Sequence, residues 1–273
     1  MQLPVFSVVI PTFNRPEMLR RALGSVAAQT YSNFEVIVSD DGSSVDLEQV
    51  IAGFPQLRLT LVRGAANAGA AGARNRGIER ASGHFVSFLD DDDEYLPEFL
   101  EATFDALQRC APRVGYSWSN ICNVRYAEGK AVARESTAFQ LPDRADHMPF
   151  TDALSIGTGY GVTVRKDLLL SVGCFDSSLR TVEDTDLFLK LLTARIYPTL
   201  VPGEHVRVHH HFGERMTASP QHAMRIRECW SLLDKHALFF AQFPELAQQL
   251  KRQIDYLQRE FAKLPLDADL RPA

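Results

Sequence analysis

Four consecutive aspartates, 90–93, follow the apolar run "FVSFL" and have the clearest capacity for chemistry in this sequence. Adjacent carboxylates repel, because two like charges about 4 Å apart cost on the order of 4 kcal/mol at an effective dielectric of roughly 20. Acids at a helix start would explain one or two of them, and an acid–base pair without a cation is a second alternative. A hard divalent cation, Mn²⁺ or Mg²⁺, is the simplest explanation for four carboxylates after a buried strand, with phosphates and water completing its shell.

Two other apolar runs also end in polar residues. The run "VVIPTFNR" ends the first predicted strand, and "VIVSDDGSS" ends the second with Asp40 and Asp41. Asp, Gly and Ser are typical of turns, so a structural turn is the alternative for "SDDGSS". Because ligands bind beyond the carboxyl ends of strands in open α/β sheets, three polar strand ends together favour a ligand site.

The segment "NAGAAGARNRG" carries Arg74 and Asn75 just before the acidic strand end. It lacks the GxGxxG spacing of a dinucleotide-binding loop. It is better interpreted as a closely packed Ala/Gly helix. A single arginine on a helix is usually solvated, but this position favours a contact of the pair with a base or a phosphate.

Two further groups have a structural and a functional interpretation. The acids of "TVEDTDLFLKLL" would suit the dipole of a helix N-terminus, or one of them could be a general base. The triplet 209–211, His-His-His, ends a predicted strand. Since side chains alternate along a strand, His209 and His211 share one face. Either these histidines are exposed or hydrogen-bonded, or one of them is a metal ligand.

The elements that must position these residues alternate between strand and helix in the first half of the 273-residue chain. Continuous apolar strands between amphipathic helices predict a mainly parallel sheet covered on both faces. Beyond residue 111 the pattern loosens, and 127–150 is predicted to be a polar loop. Residues 221–262 are predicted to form a helical tail broken near Pro244.

Composition excludes some function classes. The formal net charge of −5 gives no global basic field, which argues against nucleic-acid binding. The four cysteines form no CxxC pair and are interpreted as reduced thiols. Neither a signal peptide nor an apolar run of about 18 residues is evident, so a cytoplasmic protein is expected.

The ordered set "VVIPTFNR", "VSDDGSS", "NAGAAGARNRGIERASGHFVSFLDDDD", "GCFD" and "EDTDLFLKL" closely resembles the family-2 glycosyltransferases of the GT-A fold over roughly residues 5–213. The resemblance implies an α/β protein with a single GT-A-type Rossmann-like domain over 1–218. That domain would have a nucleotide-sugar half at about 1–110 and an acceptor half at about 111–218. A C-terminal helical extension, 219–273, would follow it.

The resemblance also implies site residues. Pro11, Thr12 and Asn14 match the motif around the nucleoside. The remaining donor-side residues are Asp40, Asp41, Arg74, Asn75, Asp90 and Asp91. Asp90 would face the ribose, whereas Asp91 is the least expected of the four aspartates to be functional. Asp92 would be the principal ligand of Mn²⁺ or Mg²⁺, with Asp93 in or near the shell and His209 or His211 as further candidates.

Asp184 matches the catalytic base of the "ED" motif, which would take the proton of the acceptor hydroxyl during transfer with inversion. Two departures are Cys174, where glycine is common, and Thr185, where an aromatic residue is common. The implied donor is a nucleotide-diphosphate sugar, with UDP favoured. The implied acceptor is a saccharide or lipid-linked saccharide of a bacterial surface glycan, bordered by 127–150 and 157–161.

Several alternatives stay open at this point. A nucleotidyltransferase that forms a nucleotide sugar would carry a Gly-rich, Lys-containing loop after the first strand, and "PTFNRP" is not one. A catalytically silent GT-A-fold binding or scaffold protein would have lost some of the acids, yet all are present. The helical tail could pack on the catalytic domain, form a homodimer, or attach peripherally to the inner face of the plasma membrane.

Overall fold

The computed structural model describes residues 3–110, 114–127, 130–139, 157–210 and 221–262. The first part of the chain contains β1 (Phe6–Thr12), α1 (Pro16–Ala27), β2 (Phe34–Asp40), α2 (Glu48–Ala52), β3 (Leu59–Arg63), α3 (Gly69–Arg80), β4 (Phe85–Phe88), β5 (Glu94–Tyr95) and α4 (Phe99–Gln108). The second part contains β6 (Val114–Ala127), β7 (Lys130–Thr137), β8 (Thr163–Arg165), α5 (Lys166–Ser171), α6 (Glu183–Thr193) and β9 (Tyr197–His210). The tail contains α7 (His222–Lys235), α8 (Ala237–Gln242) and α9 (Pro244–Ala262).

A single sheet joins both parts, in the order β3-β2-β1-β4-β8-β6-β9-β5, with β7 paired to β6. Strands β3, β2, β1 and β4 are parallel, as predicted from their continuous apolar runs. Beyond β4 the directions mix, because β8 is antiparallel to both neighbours whereas β6 and β9 are parallel. The parallel part therefore presents the carboxyl ends of β1, β2 and β4 at one edge of the sheet.

Alternate residues of β1 point into two different apolar layers, as the pleat of a strand requires. Phe6, Val8 and Ile10 are fully buried in a cluster with residues of α1 and α4. Val9 is buried on the opposite face, in a cluster with residues of α3 and α6. The predicted sheet with helices on both faces is thus confirmed.

The region 127–150 differs from the prediction. Residues 130–137 form β7, which pairs antiparallel with β6 from Ile121↔Thr137 to Ala127↔Lys130. Most of its side chains are exposed, so its polar composition resembled a loop although the backbone completes a hairpin. Residues 140–150 lie outside the described residues.

The tail is helical and broken at Pro244, as predicted, with a second break at His236. Leu232, Phe240, Leu250 and other tail residues are buried in one cluster with α6, so the tail packs against the preceding part of the chain. A domain division at 218 stays a prediction, since 211–220 lie outside the described residues. In the described part of the chain, every helix is too short or too polar to cross a membrane.

Candidate active site

The three polar strand ends meet, as the sequence predicts. Thr12 lies beside Asp40 in the register of β1 and β2. Asn14, two residues after the end of β1, accepts hydrogen bonds through Oδ1 from the backbone N and hydroxyl of Ser44, at 2.9 and 3.1 Å. Thr12 Oγ1 donates to Asp91 Oδ2 at 2.7 Å. These contacts join the ends of β1, β2 and β4 into one polar edge.

Asp40 and Asp41 are both buried and organise the polypeptide around them. Asp40 Oδ1 accepts the backbone N–H of Ser43 at 2.9 Å. Asp41 accepts from the backbone N of Ala68 and Gly69, at 3.0 and 2.7 Å, and thereby satisfies amides at the start of α3. A contact of these residues with the nucleobase stays a prediction. In the structure they also hold the loops after β2 and before α3 through backbone amides.

The four aspartates divide by exposure. Asp91 and Asp93 are buried, each with 5% of its surface exposed, whereas Asp90 and Asp92 are partly exposed. Arg15 Nη1 lies 3.3 Å from carboxylate oxygens of both Asp91 and Asp92. Burial raises the pKa of Asp91 to about 7, although the Thr12 hydrogen bond and Arg15 oppose the shift. Asp91 therefore has a structural role that the sequence analysis did not predict.

Asp90 and Asp93 converge on one backbone position. A Cβ placed on Gly159 would lie 2.8 Å from Oδ2 of each carboxylate, so the absence of a side chain there leaves room for both. Burial, followed by the charges of Asp92 and Asp90, raises the pKa of Asp93 well above its ordinary value. Since Gly159 belongs to the "GTGYG" segment, this segment borders the acidic strand end.

Arg74 connects the acidic strand end to the start of α6. Its Nη2 donates to Asp90 Oδ1 at 2.7 Å, and its Nη1 donates to Glu183 Oε1 at 2.8 Å. Burial alone would lower the pKa of Arg74, but Asp90 and Glu183 raise it above its ordinary value. The guanidinium also lies over the ring of Phe175, 5.6 Å from its centroid.

The neighbouring Asn75 does not point into the same network. Its Nδ2 donates to the carbonyl of Phe175 at 2.9 Å, and its Oδ1 accepts from Phe175 N at 3.1 Å. Its side chain thus fixes the turn that follows α5. A contact of Arg74 or Asn75 with the donor stays a prediction. Cys174, in the same turn, has a φ of 55°, a region in which glycine is favoured.

Asp184 occupies the first turn of α6 and keeps part of its surface exposed. Its Oδ1 accepts the backbone N–H of Thr185 at 2.7 Å. Its Oδ2 lies 3.5 Å from the position of a Cβ on Gly157. Burial raises the pKa of Asp184 above its ordinary value, against the opposing charges of Arg74 and Arg225. A partly exposed carboxylate with a raised pKa has the properties of a general base.

His209 is buried, and each of its two ring nitrogens has a hydrogen-bond partner. Nε2 lies 2.6 Å from Glu94 Oε2, and Nδ1 lies 2.8 Å from the hydroxyl of Tyr126. Its backbone N–H donates to Asp93 Oδ1 at 3.0 Å. Metal ligation by His209 stays a prediction, while its backbone already holds Asp93. His211 lies outside the described residues.

The acidic strand end suits a hard divalent cation in its chemistry. Asp92 is partly exposed, and the carboxylates of Asp90 and Asp93 converge beside it, which supplies the oxygen ligands that Mn²⁺ and Mg²⁺ prefer. The pKa of Asp93 is raised first by burial and then by the like charges of Asp92 and Asp90, which a cation would offset. Within the described residues, His, Cys, Asp and Glu side chains form no ready-made group of three or more that could hold a metal.

Sequence reasoning missed several contacts of this site. Arg15 stands inside the quoted "PTFNR" run and could have been noted as a counter-ion for the aspartates. Glu183 stands inside the "ED" motif, where its pairing with Arg74 carried no local signal. Glu94 follows the aspartates directly, but its bond to His209 depends on the pairing of β5 with β9.

The chain matches the family described as glycosyl transferase family 2 over residues 7–160. An uncharacterized glycosyltransferase of Haemophilus influenzae is 32% identical over 69% of this chain and 62% of its own length. The Escherichia coli UDP-Glc:alpha-D-GlcNAc-diphosphoundecaprenol beta-1,3-glucosyltransferase WfgD is 32% identical over 49% of this chain and 53% of its own. The chain thus spans less than two thirds of the length of either relative.

The fold has a counterpart among solved structures. The mannosyltransferase PcManGT from Pyrobaculum calidifontis, in complex with GDP-Man and Mn²⁺, superposes with a TM-score of 0.67 at 18% identity. The match covers 96% of this chain and 74% of that protein. The family match covers more than half of the sequence, and the sheet and helices agree with the GT-A architecture. The chain therefore belongs to the family-2 glycosyltransferases, as its ordered motifs predicted.

Proposed function

We propose that the protein is an inverting glycosyltransferase of bacterial surface-glycan biosynthesis. It moves a sugar from a nucleotide-diphosphate sugar to a saccharide or lipid-linked saccharide, with Asp184 as the general base. The observation that carries this proposal is the Arg74 bridge. It binds Asp90 at 2.7 Å and Glu183 at 2.8 Å, so the acidic strand end and the "ED" motif form one site although they are distant in sequence.

The residues of this chain account for proton transfer. The acceptor oxygen attacks the anomeric carbon, the bond from that carbon to the diphosphate oxygen breaks, and the acceptor proton passes to Asp184. Thr185 N–H occupies Oδ1 of this carboxylate, which leaves Oδ2, on the side of Gly157, as the proton acceptor. One base is sufficient for a single displacement, which inverts the configuration at the anomeric carbon.

A divalent cation is part of the proposal, because the carboxylates fit one. Asp92 and Asp93 would hold Mn²⁺ or Mg²⁺, which would neutralise the diphosphate leaving group. PcManGT was crystallised with Mn²⁺ as well as GDP-Man, which supports this choice. Buried Asp93 is held in place by the backbone N–H of His209, whereas Asp92 is partly exposed and its Oδ2 lies 3.3 Å from Arg15 Nη1.

The donor and acceptor classes rest on similarity. The name of WfgD specifies UDP-Glc as its donor and a sugar linked to diphosphoundecaprenol as its acceptor, whereas PcManGT binds GDP-Man. We favour a UDP-sugar for this chain. A lipid-linked acceptor would bring the protein to a membrane surface, a location consistent with its place in glycan synthesis.

The C-terminal helices offer a surface for peripheral membrane contact. Trp230, Leu238 and Tyr256 are exposed by 46%, 84% and 61%. Co-sedimentation with phosphatidylethanolamine–phosphatidylglycerol vesicles should fall when Trp230 and Leu238 are both changed to serine. Unchanged sedimentation would contradict membrane contact, and loss of a dimer in light scattering would instead assign this surface to a homodimer.

A panel of nucleotide sugars tests the proposed activity. UDP-glucose, UDP-N-acetylglucosamine, dTDP-glucose and GDP-mannose would be assayed with Mn²⁺, Mg²⁺ or EDTA, and with a short-chain lipid diphosphate-linked N-acetylglucosamine as acceptor. We expect a thermal shift with one nucleotide that depends on the metal, and a product whose anomeric configuration, determined by NMR, is opposite to that of the donor. Retention of configuration would contradict a single displacement with Asp184 as base.

A further inference from the structure

The segment that carries Asp184 is held by residues of the C-terminal tail, which lie outside the strand-end site. Asp184 is the second residue of α6, and no side-chain hydrogen bond from its own N-cap, Val182, closes this helix. Arg180, Thr181 and Val182 form a bend that leads directly into α6, here called the turn at 180–182. Their conformation sets where α6 begins and thus where Asp184 lies.

Glu228 of α7 binds this turn with both carboxylate oxygens. Its Oε1 accepts the backbone N–H of Arg180 at 2.9 Å. Its Oε2 accepts the backbone N–H of Thr181 at 2.9 Å and the hydroxyl of Thr181 at 2.5 Å. A charged acceptor with three donors makes a strong and directional contact. A single side chain of the tail thus fixes two consecutive amides just before α6.

A second contact joins the same two helices on the other side of Asp184. Asp186 is fully buried, and its carboxylate lies 2.8 Å from Nζ of Lys235, the last residue of α7, and 2.8 Å from Nε2 of His236, which directly follows α7. Lys190 Nζ of α6 is also 2.8 Å away. The chain is therefore bound to α7 both before Asp184, at Thr181, and after it, at Asp186.

Apolar packing reinforces these polar contacts. Leu179, which precedes the turn, and Val182, which ends it, are buried in the same cluster as Cys229 and Leu232 of α7. Leu232 lies four residues after Glu228 and therefore on the same helix face, so the face that presents the carboxylate is packed against the segment it binds.

From these contacts we propose that α7 is a positioning element for the active site, and that Glu228 is a positioning residue which holds Asp184 through the turn at 180–182. Glu228 acts on the backbone and does not touch the substrates. This inference rests on the proposed function, since it takes Asp184 as the general base. It also assigns a catalytic purpose to the tail, which lies beyond the stretch 7–160 matched to the family.

The variant Glu228→Gln tests the proposal with little change in shape. A carboxamide has a single acceptor oxygen, so it cannot receive the amides of both Arg180 and Thr181 as the carboxylate does. With the nucleotide sugar of the panel that is turned over, we expect kcat to fall about 10- to 100-fold, because small misplacements of a catalytic group have effects of that order. The donor KM should stay unchanged.

Asp234→Asn is the matched control, because Asp234 is an exposed carboxylate of the same helix and loses the same charge. It should leave kcat and KM unchanged. Amide hydrogen exchange supplies a readout independent of activity. In folded Glu228→Gln protein, the amides of Arg180 and Thr181 should exchange faster than in the wild type. If Glu228→Gln does not fold, Thr181→Val removes only the hydroxyl bond and should lower kcat by a smaller factor.

A double-mutant cycle separates this proposal from the proposed function. If Glu228 acts through Asp184, Glu228→Gln should cause no further loss in an Asp184→Asn background. Equal losses in both backgrounds, or an unchanged kcat in Glu228→Gln while Asp184→Asn is inactive, would overturn the positioning role alone. Full activity of Asp184→Asn would instead overturn the proposed base and this inference with it.

Discussion

Asp90 and Glu183 bind opposite nitrogens of one buried guanidinium, that of Arg74, at 2.7 and 2.8 Å. The first carboxylate follows β4 in the acidic strand end, and the second begins α6, the helix that carries Asp184. This relationship makes the relative position of the two halves of the site depend on one side chain. It also explains how the positive charge of Arg74 can be buried, because the two carboxylates are its hydrogen-bonded ion-pair partners.

Arg74→Lys should weaken the link between the acidic strand end and the start of α6. A lysine ammonium is a compact point charge and cannot hold the carboxylates of Asp90 and Glu183 on two separate nitrogens as the guanidinium does. Because breaking a buried ion pair leaves a charge without compensation, we expect the free energy of unfolding to fall by about 3 kcal/mol and kcat/KM to fall at least about 10-fold. Urea denaturation and steady-state kinetics measure the two effects. Arg80→Lys, an exposed change on the same helix, should alter neither.

Asp91→Ser and Asp92→Ser should affect different quantities. Asp91 is buried and bound by Thr12 and Arg15, so its replacement should lower the free energy of unfolding by about 2 kcal/mol, as expected when a charged hydrogen-bond partner is lost. For catalysis, the change is still predicted to be nearly silent per folded molecule. Asp92→Ser should leave stability nearly unchanged but weaken Mn²⁺ binding, measured by calorimetry, and abolish transfer. The reverse assignment of these effects would refute the division of the four aspartates.

The pH profile should report the environment of Asp184. A general base is active when deprotonated, so kcat/KM should decline as the pH falls through its pKa. Since burial raises this pKa, the acidic limb should lie above the ordinary aspartate value of about 3.9. Glu183 and Asp184 interact, so the limb belongs to the pair. Arg225→Gln removes a charge that lowers the pKa of Asp184 and should move the limb to higher pH. Arg227→Gln, exposed on the same helix, should not move it.

Asp186→Asn should test the attachment of the tail to α6. Burial would raise the pKa of Asp186, but hydrogen bonds from His236, Lys190 and Lys235 hold it well below its ordinary value. We expect the free energy of unfolding at pH 7 to fall by about 3 kcal/mol. A depressed carboxylate pKa stabilises the protein above the unfolded-state value of about 3.9 and loses this effect as the pH falls toward the folded value. The difference between wild type and variant in urea denaturation should therefore shrink under acid, and a difference that grows would contradict this account.

The sequence predicted the parts of this molecule that depend on local patterns. Continuous apolar runs placed β1, β2 and β4, and their polar ends identified the edge at which the site lies. Acids followed by an apolar stripe placed α6, and Pro244 marked the break in the tail. Each of these signals arises within a short window, because side-chain periodicity and turn residues reflect local backbone geometry.

The remainder depends on contacts between distant segments. Arg74 was expected at the donor, yet its partners are Asp90 and Glu183, which only the folded sheet brings together. Glu228 gave no signal, because a glutamate on an amphipathic helix usually faces solvent. Strand β7 resembled a loop, since an exposed hairpin arm needs few apolar side chains. Long-range pairing therefore set the limits of prediction from the sequence.

The most direct test of the account is the transfer rate of Asp184→Asn, measured with donor affinity on the same preparation. Asparagine keeps the shape of aspartate and cannot accept the acceptor proton. We predict that kcat falls on the order of 10²- to 10⁴-fold, the contribution typical of general base catalysis, while the donor Kd is unchanged and Asp255→Asn, an exposed change in α9, has no effect. Transfer by Asp184→Asn at the wild-type rate would contradict the assignment of the base.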